Sequence, residues 1–217
     1  STGAIILHWT IAALIIAQVP LGWQMGEDGP HRFALVQFHK SIGITILMLS
    51  IARLVWRLMN PPPPEPAMPQ WQKLLATTVH VLLYVLIIAM PLTGWIMASA
   101  EINQHDTRFF GTVEMYIPGI PGLPAETREP LGETFEWIHH NLVWVIIMLL
   151  GLHVAGTLKH QFVNKDGLLA RMAPGLFGRT SGPPDNGHGA LWAFGASALV
   201  FALAGGTSMM ANAPAAP

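Results

Sequence analysis

Trp137-IHHNLVWVIIMLLGLHVAGT-Leu158 contains no Asp, Glu, Lys or Arg. A membrane-spanning helix needs about 20 mostly apolar residues, so this stretch reads as one span. It also carries chemistry: His139 and His153 lie fourteen residues apart within it. At about 100° per residue, fourteen steps end about 40° short of whole turns, and at a rise of about 1.5 Å they cover about 21 Å. Both histidines therefore face one side of the helix at two depths. His140 points well away from that side and reads as an interfacial polar residue. His160 lies near the His153 face but deeper, beside Lys159, and reads as a solvated side chain reaching for water.

The rest of the chain fits a lipid environment. Hydrophobic residues make up 52% of it and charged residues 11%, against roughly 25% charged in soluble domains. So few charges cannot cover a soluble surface, and lipid must cover it instead. The net charge of −1 gives no sign of nucleic-acid binding. There is no cysteine, which removes disulfides, iron–sulfur clusters, thiolate metal sites and covalently attached c-type haem together. Ten histidines remain as candidate ligands.

Working outward from 137–158, three further spans are expected at about 4–23, 36–58 and 74–100. The first lies in the stretch 1–26, which has no charge. The second is free of charge only over 41–52 and contains Lys40, Arg53 and Arg57 toward its ends, whose long side chains snorkel to the two interfaces. A fifth apolar run, roughly 189–205, is rich in Ala and Gly and is expected to cross as well. At 17 residues it is at the lower limit for a span, and its small residues suit close packing on another helix. Ser1 leads straight into apolar sequence with no basic leader region, and the natural chain is expected to begin a few residues upstream.

The connections set the orientation. Spans 2 and 3 are joined by the stiff tether Asn60-Pro-Pro-Pro-Pro-Glu-Pro66. With its flanks, this connection carries Arg53, Arg57 and Lys73 against Glu65, a net of +2. After span 4, Lys159, Lys165, Arg171 and Arg179 outnumber Asp166 and Asp185 by two. The long 3–4 connection has seven acidic residues (Glu101, Asp106, Glu114, Glu126, Glu129, Glu133, Glu136) against Arg108 and Arg128, a net of −5. Positive loops stay in the cytoplasm, so the N-terminus is expected inside, with the 1–2 and 3–4 connections outside. A fifth span puts the C-terminus in the periplasm. Trp23, Trp95 and Trp137 mark the outer interface and Trp9, Trp56 and Trp71 the inner one. Trp144 fits neither belt and reads as packing.

The histidines fall on two levels. His39 opens span 2 at the outer end, level with His139. His8 lies about 22 Å below Trp23, level with His153. His80 is about as far below Trp95, so three histidines share the inner level and spacing leaves open which two act together. A six-coordinate electron-transfer haem takes two neutral imidazoles from opposite sides. Hydrogen bonding between helices would explain a single intramembrane histidine. Four at two matched depths favour iron ligation, given the cost of burying each imidazole. Gly43, one turn after His39, and Gly151 and Gly156, flanking His153, would let a flat macrocycle approach a backbone, and small-residue helix packing explains them equally well. Arg53 and Arg57 could pair with inner propionates and Lys40 with outer ones, although the positive-inside bias also accounts for the arginines. Pro91 is expected to kink span 3.

Several segments resemble one family. They are the opening STGAIILHW up to His8-Trp9, Phe38-His39-Lys40-Ser-Ile-Gly43, Arg53-Leu-Val-Trp-Arg57 followed by Asn60-Pro-Pro-Pro, Gly151-Leu-His153, and Lys165-DGLLARMA-Pro174. In this order and spacing they resemble the prokaryotic cytochrome b561 family over residues 1–174. The resemblance implies an all-α membrane protein, a four-helix transmembrane bundle holding two haem b groups. It implies His8 with His153 on a cytoplasmic-side haem and His39 with His139 on a periplasmic-side one. His80 becomes a non-ligand near a propionate or a quinone. It further implies residence in the bacterial inner membrane and exchange with the quinone pool, ubiquinone being the expected substrate or bound ligand. One branch oxidises superoxide at the outer face and passes the electron to ubiquinone.

Two departures shape the functional expectation. Glu27, Asp28 and Arg32 add a further −1 to the outer face, for a total of −6. An acidic face repels an anionic substrate such as superoxide and attracts a basic protein, for example a cationic cytochrome c. Beyond Pro174 the four-helix core needs nothing more, so the expected organisation is 1–174 core, 175–187 cytoplasmic loop, 188–207 fifth transmembrane helix and 208–217 periplasmic linker. Some relatives continue from such a point into a soluble lipocalin-like periplasmic domain. The leading expectation is a quinone-linked diheme electron carrier. The alternatives are a superoxide:ubiquinone oxidoreductase and a cytochrome b anchor subunit of a periplasmic dehydrogenase or hydrogenase, that is, a subunit of a larger complex; a homo-oligomer is compatible with any of them. A histidine-lined metal transporter would want acidic residues inside the spans, where none occurs.

Overall fold

The computed structural model describes residues 2–26, 29–61, 68–102 and 107–173. Four long helices account for most of them: α1 (Thr2–Gln24), α2 (Arg32–Met59), α3 (Gln70–Ala100) and α4 (Ala125–Lys159). Each is long and apolar enough to cross a membrane. The expected fifth span and the C-terminal linker lie outside the described residues, as do Glu27, Asp28, Asp106 and most of the polyproline tether.

α2 is the most buried helix and packs between α1 and α3. Leu7 and Ile11 of α1, one turn apart, meet Ile42, Ile46 and Leu49 of α2 in one core cluster. Val79 and Leu86 of α3 meet Ile146 and Leu149 of α4 in a second. Apolar side chains such as Ile16, Leu74, Met148 and Leu152 are exposed around the outside, as expected of a bundle whose solvent is lipid. Three hydroxyls within the spans bond back to their own helices: Thr45 Oγ1 donates to Ser41 O, Ser99 Oγ to Trp95 O and Thr157 Oγ1 to His153 O, while Ser50 Oγ is buried without a partner. In lipid a polar group can find a partner only internally. α3 packs closely on α4, whereas α4 stands further from α1 and α2. Histidines meet across that gap.

The structure differs from expectation at the start of span 4. α4 begins at Ala125, twelve residues, or about 18 Å of helix, before Trp137. Arg128, Leu131, Gly132, Phe135 and Ile138 turn inward there, while Glu126, Glu129, Glu133 and Glu136 are exposed. This is a helical stripe rather than an apolar run.

Each end of the bundle is covered. On the end expected to face outward, called the outer end below, a small hairpin pairs β1 (Arg108–Phe109) with β2 (Val113–Glu114). It is pinned to the helices where the Phe110 N–H donates to Ser41 Oγ (2.9 Å), the Ile117 N–H to Ser99 Oγ (2.9 Å) and Trp95 Nε1 to Met115 O (3.0 Å). Phe110 adopts a left-handed φ of 45°, a costly conformation for a bulky residue. Its ring is buried against Phe38 and Phe109, and that packing holds it. On the inner end α4 runs into a π-helical turn (His160–Asn164), Lys165 reverses the chain at φ 55°, and a short 3-10 turn (Leu169–Arg171) follows. The returning strap reaches α1, where Trp9 Nε1 donates to Met172 O at 2.8 Å.

Candidate functional site

The histidines converge at two levels. On the outer level the His39 and His139 rings face one another from α2 and α4, with centroids 6.2 Å apart and planes at 77°. On the inner level His8 of α1 faces His153 of α4, with centroids 6.1 Å apart and planes at 65°. His80 of α3 also touches His153, at the shorter distance of 5.1 Å. His140 is exposed on the outside of α4.

These separations can be tested against a metal between the rings. An imidazole nitrogen binds a first-row metal at about 2 Å, and the ring centre lies about 1.1 Å further back. Two imidazoles on opposite sides of one iron therefore have centroids about 6.3 Å apart. The His39–His139 and His8–His153 pairs fit this spacing from different helices; His139 and His140 also lie 6.3 Å apart but are neighbours on one helix, and the His80–His153 pair is too close. Among the described residues no group of three or more His, Cys, Asp or Glu is arranged to hold a bare ion. Paired imidazoles would instead suit a metal held in a group that brings its remaining ligands with it.

The surroundings of the outer pair fit the same requirement. His139 Nδ1 lies 3.1 Å from Met90 O and 3.1 Å from Thr93 Oγ1. The Thr93 hydroxyl itself donates to Met90 O at 2.7 Å. A backbone carbonyl accepting from Nδ1–H fixes the tautomer and leaves Nε2 as the ligand, the usual outer-shell arrangement for a metal-binding histidine. A Cβ on Gly94 would lie 2.9 Å from His139 Cε1, so only glycine lets the ring lie there. A Cβ on Gly22 would lie 3.5 Å from His39 Cε1. His39 Nδ1 is buried without a partner. The glycines singled out from sequence behave differently: a Cβ on Gly43 would meet only Gln18 Nε2, at 3.7 Å, and around Gly151 and Gly156 there is nothing within 4 Å.

The charged candidates separate. Arg53 points into the bundle, where Nη1 donates to Ala4 O at 2.7 Å and the guanidinium lies 5.9 Å from the centre of the Tyr84 ring. It is near enough to His8 and His153 to act on both electrostatically. Arg57, one turn further on, is exposed. Lys40 is largely buried beneath the outer hairpin: its Nζ donates to Thr107 Oγ1 at 3.2 Å and lies 3.7 Å from Glu101 Oε2.

His160 corrects the sequence reading. It is buried rather than solvated, and its Nδ1 pairs with Asp166 Oδ2, with Asn164 alongside. The π-helical turn swings the ring inward, and the left-handed Lys165 brings Asp166 back to meet it. Burial raises the Asp166 pKa, but the bonds from His160 and from the Leu168 N–H outweigh it and hold the carboxyl below its ordinary range. Trp144, which fits neither interfacial belt, lies against Trp23 with ring centroids 6.3 Å apart. Gly22, Gly94, Thr93 and Met90 were missed from sequence.

Comparison with known proteins identifies the family. The family model described as prokaryotic cytochrome b561 matches residues 1–175. Cytochrome b561 homolog 2 of Escherichia coli (strain K12) is 30% identical over 170 residues, covering 76% of this chain and 86% of that protein. Probable superoxide oxidase CybB of Yersinia pestis is 28% identical over 174 residues (77% and 92%), and cytochrome b561 homolog 1 of Escherichia coli (strain K12) is 28% identical over 181 residues (78% and 94%). With four membrane-capable helices and paired histidines between them, the chain belongs to the prokaryotic cytochrome b561 family, membrane electron-transfer proteins that hold haem b.

Proposed function

We propose that this protein binds two haem b groups, one between His39 and His139 and one between His8 and His153, and carries electrons between a periplasmic redox partner and ubiquinone. The observation that carries the proposal is the equal spacing of the two ring pairs, 6.2 and 6.1 Å. Haem supplies one-electron chemistry at iron. The chain would supply the imidazole nitrogens of His8, His39, His139 and His153 to hold it, fix their orientation, and exclude water with lipid-facing helices and an end cover at each level. His80 and Arg53 are left to the inner level as side chains able to meet a propionate or a quinone. Arg57 and Lys40 have weaker claims to a propionate, since Arg57 is exposed and Lys40 is engaged with Thr107 and Glu101.

The proposed setting is the bacterial inner membrane with the N-terminus in the cytoplasm, following the positive-inside bias. The proposed arrangement keeps 1–174 as the haem-binding core, with 175–187 in the cytoplasm. It makes 188–207 a fifth crossing and 208–217 a periplasmic linker. Alkaline phosphatase fused after Pro217 should be active; fluorescence there from a reporter that matures only in the cytoplasm would contradict the crossing.

Likeness to a protein named as a probable superoxide oxidase favours a second reading, in which superoxide is the donor. The acidic outer face argues instead for a basic protein such as a cationic cytochrome c. Purified protein in proteoliposomes with ubiquinone separates them. Reduction of internal quinone by reduced cytochrome c, with little response to a superoxide generator, supports the first reading; the reverse supports the second. Co-purification of a stoichiometric second subunit would favour an anchor role.

A further inference from the structure

We infer that Gln18 is the positioning residue for His39, accepting a hydrogen bond from its Nδ1–H and thereby setting the potential of the outer haem. The inference rests on the proposed ligation of iron by His39. Gln18 is the only side-chain amide within 4–23, and an amide in an otherwise apolar span needs a polar partner. Its Nε2 donates to His39 O at 2.9 Å. Its Oε1 is buried and has no partner, and His39 Nδ1 is buried and has none either. One is an acceptor. The other becomes a donor once Nε2 holds iron, because a neutral imidazole then carries its proton on Nδ1.

The two orphans belong to one neighbourhood. Gly22 follows Gln18 by one turn of α1, and a Cβ there would lie 3.5 Å from His39 Cε1 and 3.9 Å from Nδ1. The Nδ1 edge of the ring therefore faces α1, the helix that carries Gln18. A turn of the amide, or one bridging water, joins Oε1 to Nδ1–H and satisfies both atoms. The two proposed ligands of the outer iron are thus held by different means, His139 by the Met90 carbonyl and His39 by a side chain that substitution can change. An acceptor on Nδ1–H makes the imidazole more basic and stabilises the ferric state.

Redox titration of the purified protein tests this, with the outer haem identified as the signal lost in His39→Ala. Gln18→Leu should raise the outer haem's potential by roughly 59 mV, a tenfold change in a one-electron equilibrium, and leave the inner haem unchanged. Gln18→Glu, which keeps an oxygen acceptor, should return the potential to the parent value or below. An outer potential unmoved in Gln18→Leu overturns the inference. Should Gln18→Leu lose the outer haem, Gln18→Glu decides: retention supports the inference, and loss overturns it. If His39→Ala keeps both haems, the ligation reading falls instead, whatever the Gln18 variants do.

Discussion

The outer and inner histidine levels are built to the same ring spacing but differ in everything around it. The outer level is a pair of imidazoles closely hemmed in by backbone. His139 is tied to Met90 O and pressed against Gly94, His39 lies against Gly22, and the Phe110 hairpin is bonded to Ser41, two residues beyond His39. The inner level is crowded, with a third imidazole, the guanidinium of Arg53 over Tyr84, and a strap fastened to Trp9 beside His8. The polar groups beside the outer pair are the Gln18 amide and the Thr93 hydroxyl, both neutral, whereas the inner pair has a further imidazole and a guanidinium close by.

The largest effects should come from the ligands themselves. His39→Ala or His139→Ala should each remove the outer haem and spare the inner one, as measured by pyridine haemochrome per chain. At the inner level, His8→Ala and His153→Ala should each remove a haem and His80→Ala should remove none. Loss of the inner haem in His80→Ala with retention in His8→Ala would reverse the inner assignment.

Next in size is the glycine that admits the His139 ring. A Cβ at Gly94 approaches Cε1 to 2.9 Å, so Gly94→Val should displace the ring and weaken outer haem affinity by about 10–100-fold, as loss of outer-shell support commonly does. Gly151→Ala, with open space around it, should leave both haems bound. Equal loss in the two variants would mean that the outer level is not the tighter of the two.

A smaller effect belongs to the outer face alone. Electron exchange with a cationic cytochrome c should slow several-fold between about 10 and 150 mM salt, as the Debye length shrinks from about 30 to 8 Å. Rates independent of ionic strength would remove charge steering from the account. If superoxide is oxidised at all, its rate should rise with salt instead.

The smallest effect concerns the inner strap. The Asp166 carboxyl is held below its ordinary range. Its stabilising contribution is therefore complete above the unfolded value of about 3.9 and is lost as pH falls through the lower folded value. Amide exchange across 160–172, after correction for the intrinsic rate, should rise as pH falls through the acid range in which Asp166 is protonated. In Asp166→Asn it should be raised throughout. Equal exchange in the two proteins at neutral pH would show that the strap does not depend on this pair.

The four spans and the two histidine levels were legible because both follow from the rise and turn of a helix, applied to residues within single segments. Placement between helices was not legible in the same way. That Gly94 rather than Gly43 makes room for a histidine ring depends on how α3 sits against α4, which no spacing within α3 encodes. The outer twelve residues of α4 were missed because an apolar run was sought, although the alternation of Leu131, Phe135 and Ile138 with Glu129, Glu133 and Glu136 was there to be read. His160 was misread because a regular helix was extended past Lys159. Asn164-Lys165-Asp166-Gly167 is a turn sequence, and taking it as the helix end would have brought Asp166 back toward the histidine.

The central claim is that each level holds one haem through one pair of histidines. Haem counted per chain in the parent protein, His139→Ala, His8→Ala and the His8→Ala/His139→Ala double variant tests it most directly. The account predicts two, one, one and none, with the two single variants losing different spectral components. A double variant that still binds haem, or two single variants that lose the same component, would contradict it.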